Sequence, residues 1–253
     1  MPHSKLIALA QFMGDPKNDL CILAEGNVSA RKAANSFLVK ASGHSMTDIR
    51  EDGFVEVRYD PLIAALKQPE MSVADVRKTL NGALVHGGAT STSQPSTEAF
   101  MHAYLLSLDG VEFVAHGHPT PLLSLLSLEG VAEFAERRLF PDEIVCCGPA
   151  ACFVPYIAPG LPLAIKIRSS VQAFIEKWGM SPKSVWLENH GLIALGSTIQ
   201  ETISICSMSV KSARATLGAL QTGQPIRWMT HEEVIAICDW PDEHFRQRLI
   251  REG

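Results

Sequence analysis

Residues 96–119 read STEAFMHAYLLSLDGVEFVAHGHP, a helix, a turn and a strand in immediate succession. Ser96 is a helix-capping residue, and the helix is expected to run from Thr97 to about Leu108. Its apolar positions, Phe100, Met101, Tyr104, Leu105 and Leu108, recur at helical spacing. Asp109-Gly110 makes the turn. Between Val111 and His116 the side chains alternate. Val111, Phe113 and Ala115 fall on one face of a strand, and Glu112, Val114 and His116 on the other. His118 continues the second face, and Pro119, which cannot donate to a ladder, ends the strand. The imidazoles at i and i+2 therefore point the same way. A third, His190, lies in Glu188-Asn189-His190-Gly191, between two strand-like segments at 184–187 and 192–195. Three converging imidazoles with one side left open suit a catalytic metal site better than a closed structural one.

Working outward, 5–13 fits a short amphipathic helix, and 20–29 and 37–41 read as strands. Segments 61–67 and 73–80 look helical, the latter with a solvated face of Asp75, Arg77 and Lys78. Gly87 to Ser93 is a small-residue loop. Segments 121–127 and 131–139 look helical or irregular, 144–155 gives one or two short strands, and 163–178 is a helix. Thr198 followed by Glu201 is a capping-box signal opening a long helix to about Leu220. A last short helix follows Thr230. Helices and strands alternate, so the class is α/β. Several adjacent strands are joined by short turns, which points to a mixed, mostly antiparallel sheet. One domain over 1–253 is expected, with a core of about 5–220 and a helical tail of about 230–253.

The composition limits the function. Hydrophobic residues are 46% and charged residues 19% of the 253, enough for a sizeable core. A net charge of -5 argues against nucleic acid as a partner, because phosphate neutralisation needs a basic surface. No apolar stretch is long enough to span a membrane. The six cysteines form no C-x-x-C pair, as expected of reduced thiols in a cytoplasmic protein.

Glu98 opens the helix that leads into the histidine strand. A carboxylate there serves as metal ligand, as general base, or only as a charge favourable to the helix dipole. Small polar residues at Gly26-Asn27-Val28-Ser29, Ser42-Gly43 and Ser96-Thr97 are each ordinary turns or caps. Together they offer hydroxyls and backbone N–H groups to a phosphate or carboxylate.

Gly26-Asn27-Val28-Ser29, Val39-Lys40-Ala41-Ser42-Gly43, Pro95-Ser96-Thr97-Glu98, His116-Gly117-His118 and Asn189-His190-Gly191-Leu192 occur in an order and spacing that resembles the class II aldolase/adducin family. The resemblance runs from about Gly26 to Leu220. It implies a divalent metal on His116, His118 and His190, most often zinc, with manganese, iron, cobalt and nickel as alternatives. It implies that Glu98 transfers a proton and ligates the metal when substrate is absent. It implies a substrate phosphate pocket lined by Asn27, Ser29, Ser42, Gly43, Ser96 and Thr97. The implied fold is a three-layer α/β/α arrangement around a mostly antiparallel sheet. The implied assembly is a C4 homotetramer with sites at subunit borders.

The activity implied is that of a lyase, an aldolase cleaving a small ketose phosphate or related hydroxyketo compound through a metal-stabilised enediolate. A decarboxylase or dehydratase on the same metal cup is the nearest alternative, and a non-catalytic adducin-type interaction domain the more distant one. Two residues complicate the substrate. Glu25 puts a negative charge beside Gly26-Asn27, which disfavours a phosphate unless it faces away. Family aldolases commonly use a tyrosine from a neighbouring subunit, for which Tyr156 is the candidate left after Tyr104 is assigned to the core. His102, one turn beyond Glu98 on the same helix face, either orients Glu98 or is a buried polar group satisfied elsewhere.

Overall fold

The computed structural model describes residues 2–68, 70–85 and 94–252. The expected loop at 87–93 and His86 lie outside them. Seven strands form one sheet: β1 Asn27–Ala33, β2 Ser36–Lys40, β3 Phe54–Arg58, β4 Phe113–Gly117, β5 Cys152–Val154, β6 Ser184–Leu187 and β7 Gly191–Gly196. Their order is β3-β2-β1-β4-β7-β6-β5. Only β5 and β6 pair in parallel; the other neighbours are antiparallel.

The helices are α1 Pro2–Gly14, α2 Tyr59–Ala65, α3 Val73–Ala83, α4 Ala99–Leu106, α5 Thr120–Leu126, α6 Ala132–Ala135, α7 Pro141–Cys147, α8 Leu161–Trp178, α9 Ile199–Gln221, α10 His231–Cys238 and α11 Pro241–Glu252. They cover both faces of the sheet. Val39, Val57, Val114 and Ile193 pack in one cluster with residues of α2, α4 and α8. Val28, Leu38, Phe113, Ala115 and Ala194 pack in a second with residues of α1 and α9. From Phe113 onward the expected alternation divides the two layers, whereas Val111 precedes β4 and packs on the side of Val114, opposite to Phe113 and Ala115; the architecture is the expected three-layer α/β/α. No helix among the described residues is long and apolar enough to cross a membrane.

Helix α4 is more deeply placed than its pattern suggested. Every residue from Ala99 to Leu106 is buried, His102 and Leu106 included. A helix apolar on all sides belongs inside a molecule. It starts two residues later than expected: Ser96 Oγ accepts the Glu98 N–H at 3.2 Å, and Glu98 itself takes the cap position.

Two expected strands are corrected. Residues 20–26 are a loop, and the ladder begins only at Asn27. Gly26 has φ +67, and a Cβ there would stand 2.6 Å from both Cys21 Sγ and the His116 carbonyl. This tight crossing breaks the strand and brings Leu20 O within 2.7 Å of the His118 N–H. Residues 144–147 are the end of helix α7, not a strand. Pro141 supplies its first turn. The buried Arg138 guanidinium donates to the carbonyls of Cys147 and Gly148 at its far end. Arg138 also faces Glu143 at 3.7 Å, so the helix closes on a buried ion pair.

The C-terminal helices are fastened through Glu201. Its Oε2 accepts from the Ser197 N–H and hydroxyl, and its Oε1 lies 3.3 Å from both Lys183 Nζ and Arg251 Nε. Burial alone would raise this carboxyl, but Lys183, the Ser197 bonds and Arg251 outweigh it and hold it below the ordinary 4.5. A depressed carboxyl stabilises the fold above its ordinary pKa and loses that contribution as pH falls through the folded value. Glu201→Gln is therefore expected to cost about 1–3 kcal/mol at neutral pH. The difference from the parent should shrink as the pH falls below the ordinary carboxyl range and through the depressed folded value, as followed by urea unfolding at several pH values.

Candidate metal centre

The register of β1, β4 and β7 builds the site. Asn27 pairs with His116, and His116 pairs with Ile193 across the next ladder. With a period of two, Asn27 and Ser29 on β1 share the α4-facing side with Val114 and His116 on β4. His118 follows at the strand end. His190 comes from the turn between β6 and β7. Asn189 takes a left-handed φ of 51 there, and Gly191 passes so close to the Gly117 carbonyl that a side chain would collide with it.

The three imidazoles converge, with one ring nitrogen from each lying within 4.8 Å of the others. His116 Nδ1 lies 2.9 Å from Leu192 O and donates to it. His118 Nδ1 lies 3.0 Å from Glu25 Oε2 and donates in the same way. Both Nε2 lone pairs are thereby turned into the cup, where they stand 3.1 Å apart. Two facing lone pairs repel unless a cation lies between them. Two nitrogens at tetrahedral angles on a zinc-like ion would be about 3.3 Å apart, given metal–nitrogen bonds of about 2.0–2.1 Å. Burial pushes His116 below the ordinary imidazole range and His190 down to about 4, so both are neutral ligands at pH 7. The donor set fits a divalent transition metal.

Glu98 faces this cup. Its Oε2 is 3.7 Å from His116 Nε2, and its Oε1 is 3.7 Å from His190 Nε2. Burial would raise its carboxyl, but its place beside the ring N–H dipoles of the surrounding imidazoles and the hydrogen bond from Asn27 lower it below the ordinary carboxyl range. Behind it runs a directed chain of hydrogen bonds. Ser29 Oγ lies 2.6 Å from His102 Nδ1, His102 Nε2 bonds Asn27 Oδ1, and Asn27 Nδ2 donates to Glu98 Oε2 at 2.5 Å. Burial takes His102 down to about 3, so its single ring proton sits on Nε2, facing the Asn27 carbonyl oxygen.

The expected pocket residues divide into two groups. Ser42 and Gly43 lie beside 94–97: Ser42 N–H donates to Gln94 O, and Ala41 bridges Pro95. Ser96 and Thr97 lead directly into Glu98. Asn27 and Ser29 behave differently from a phosphate cradle. Ser29 is fully buried with its hydroxyl on His102, and both ends of the Asn27 amide are taken by His102 and Glu98. Their side chains link His102 to Glu98 through hydrogen bonds. Alternation on β1 showed which face they occupy, but not that a buried histidine from α4 would claim them.

Glu25 was missed as a functional residue. Its carboxylate accepts from His118 Nδ1 and from the Ile22 N–H, and so lies beside the histidine cup. Nothing in residue spacing marks a carboxylate that reaches a histidine far along the chain. Lys40, also buried, ties two site loops together by donating to Ala24 O at 3.3 Å and His44 O at 2.6 Å. Glu25→Gln should leave the fold intact and weaken metal affinity about 10- to 100-fold, as read by competition with a chelator.

This fold and cup define a class: α/β proteins with three converging histidines that could hold a metal ion. The sequence matches the class II aldolase and adducin N-terminal domain over residues 4–217, and the chain belongs to that family. Among curated proteins no sequence matches. Several solved structures share the fold. An L-fuculose 1-phosphate aldolase superposes with a TM-score of 0.69 at 19% identity, covering 97% of this chain and 96% of that one. The N-terminal class II aldolase domain of a conserved Thermoplasma acidophilum protein gives 0.68 at 23% identity, covering 86% and 94%. YgbL of Escherichia coli, whose description offers aldolase, epimerase and decarboxylase as alternatives, gives 0.66 at 17%, covering 93% and 96%.

Proposed function

We propose that the protein is a divalent-metal-dependent aldehyde-lyase, an aldolase that splits a small ketose phosphate or related hydroxyketo compound. The observation that carries this reading is the convergence of His116, His118 and His190 on one point faced by an ionised Glu98. An interaction scaffold has no physical use for that arrangement. The metal is zinc by donor type, with manganese, iron, cobalt and nickel as alternatives. When bound, it supplies Lewis-acid stabilisation of negative charge on a substrate carbonyl oxygen and its neighbouring hydroxyl.

The chain's own groups do the rest. Glu98, ionised and held by Asn27, takes a proton from the carbon beside the carbonyl in condensation and returns it in cleavage. His102 and Ser29 keep the Asn27 amide from rotating, so the carboxylate oxygen stays aimed. Ser42, Gly43, Ser96 and Thr97 hold the anionic end of the substrate. A single domain, a homotetramer with sites at its borders and a cytoplasmic setting belong to the same reading.

A second reading is decarboxylation of a keto acid on the same cup. It is favoured by the tyrosines: Tyr59 and Tyr104 are buried, and only Tyr156, 62% exposed, is free to take the hydroxyl proton as the aldehyde forms in cleavage and to return it to the new alkoxide in condensation. Decarboxylation needs no such group. The test is incubation of metal-loaded protein with dihydroxyacetone phosphate and a panel of short aldehydes. Condensation products are expected. Their absence with every aldehyde, together with CO2 release from a keto acid, would replace the aldolase reading with the second one.

A further inference from the structure

Helices α3 and α8 border a cavity of about 480 Å³ that the proposed chemistry does not use. Small-molecule sites usually measure about 300–1,000 Å³. Met71, Val73 and Val76 form one wall, and Leu161, Pro162 and Ile165 form the other. Met71, Val76 and Ile165 rest on the core shared by α2, α4 and α8, so packed side chains back both walls. Val73 follows the Ser72 cap at the start of α3 and is 79% exposed. An apolar group entering this concave surface would remove it from water. Among the described residues Glu70 is the only charged one on the lining, and no cation lies there. A carboxylate without a neighbouring cation repels an anion. The occupant that suits this wall is therefore neutral and apolar.

The cavity adjoins the histidine cup through two stretches of chain. Thr97, which also lines it, directly precedes Glu98. On the other side, the lining stretch 159–162 follows Tyr156, whose N–H donates to Glu188 Oε2 at 2.8 Å. Glu188 stands two residues before His190. A substrate with its oxygens towards Glu98 and the three imidazoles thus has an apolar recess beside it. A short ketose phosphate is polar along its whole length and offers nothing to these walls. A chain of unsubstituted carbons does.

We propose that the cavity between α3 and α8 is an apolar subsite, and that it holds an arm of several unsubstituted carbons on the substrate. This rests on the metal-centre reading for the position of the reacting end. It directs that reading to a hydroxyketo compound with an apolar arm rather than to a short ketose phosphate.

The test is calorimetric titration of the metal-loaded full chain with 1-hydroxy-2-butanone, 1-hydroxy-2-hexanone and 1-hydroxy-2-octanone. The three ketones share one hydroxyl and one carbonyl and differ only in chain length. The parent is expected to bind the octanone about 10- to 100-fold more tightly than the butanone, at about two- to fourfold for each methylene buried. Val73→Asp puts a charge in the wall at a helix position that favours an acidic residue, and should cut that ratio to below about threefold. Val76→Thr keeps the shape and removes apolarity, and should cut the ratio about two- to fivefold. Metal content and unfolding midpoint should stay at parent values in Val73→Asp, since Val73 is exposed. Equal affinities for the three ketones in the parent would overturn the proposal. So would a gain with chain length that neither substitution reduces, because the arm would then lie elsewhere. If the gain depends on Val73 and Val76 yet no aldehyde condenses with any of the ketones, the subsite stands and the aldolase reading alone fails.

Discussion

Glu98→Gln is expected to hold its metal at the parent stoichiometry and to lose about 10²- to 10⁴-fold in turnover, the usual contribution of a positioned proton-transfer group. The substitution is nearly isosteric. One side-chain oxygen can still accept from Asn27 Nδ2, so the chain back through His102 to Ser29 survives. The amide cannot take a proton. The loss should therefore appear in kcat while substrate affinity changes little, measured by single-turnover kinetics beside metal analysis of the same sample. Near-parental turnover would show that another group moves the proton.

His190→Ala is expected to reduce tightly held metal from about one per chain to below about 0.1, because two imidazoles and a carboxylate seldom retain a transition metal through dialysis. Turnover should fall to the background rate. The fold should persist, since His190 projects from the β6–β7 turn and its backbone N–H remains on Leu187 O at 3.0 Å. Metal analysis with far-UV circular dichroism separates this outcome from misfolding. Retention of a full metal complement would move the centre away from the three histidines. The contrast between the two variants, metal kept without turnover and metal lost with it, divides proton transfer from charge stabilisation.

The histidine strand was legible because alternation is a local property, and the sheet carries it from Phe113 to Gly117, while Val111 falls before the strand and on the other side. The mixed, mostly antiparallel sheet was legible for the same reason. Burial was less so. Helix α4 reads as one-sided, but it is enclosed, because α2 and α8 cover what a single amphipathic stripe would have left to water. Segment 144–147 reads as strand from its β-branched and cysteine content. It is helix because Pro141 and the distant caps on Arg138 decide the matter. At the site, residue type singled out the three histidines that converge, whereas their hydrogen-bond partners depend on contacts between segments far apart in the chain. Glu25 reads as a problem for phosphate and turns out to hold a histidine. Asn27 and Ser29 read as substrate contacts, and their side chains are hydrogen-bonded to Glu98 and His102, a pairing that residue spacing does not mark.

The alternation of β1 has a consequence for tolerance to insertion and deletion. Val28 and Ala30 face the α1/α9 layer, while Asn27 and Ser29 face α4. A slip of one residue against β4 would exchange the two pairs. Aliphatic groups would then meet Glu98, and an amide and a hydroxyl would be sealed into an oily layer without partners. Misalignment would thus damage solubility and chemistry in one stroke, so length changes between 26 and 33 should be purged far more strictly than those in the connections at the sheet's outer edge.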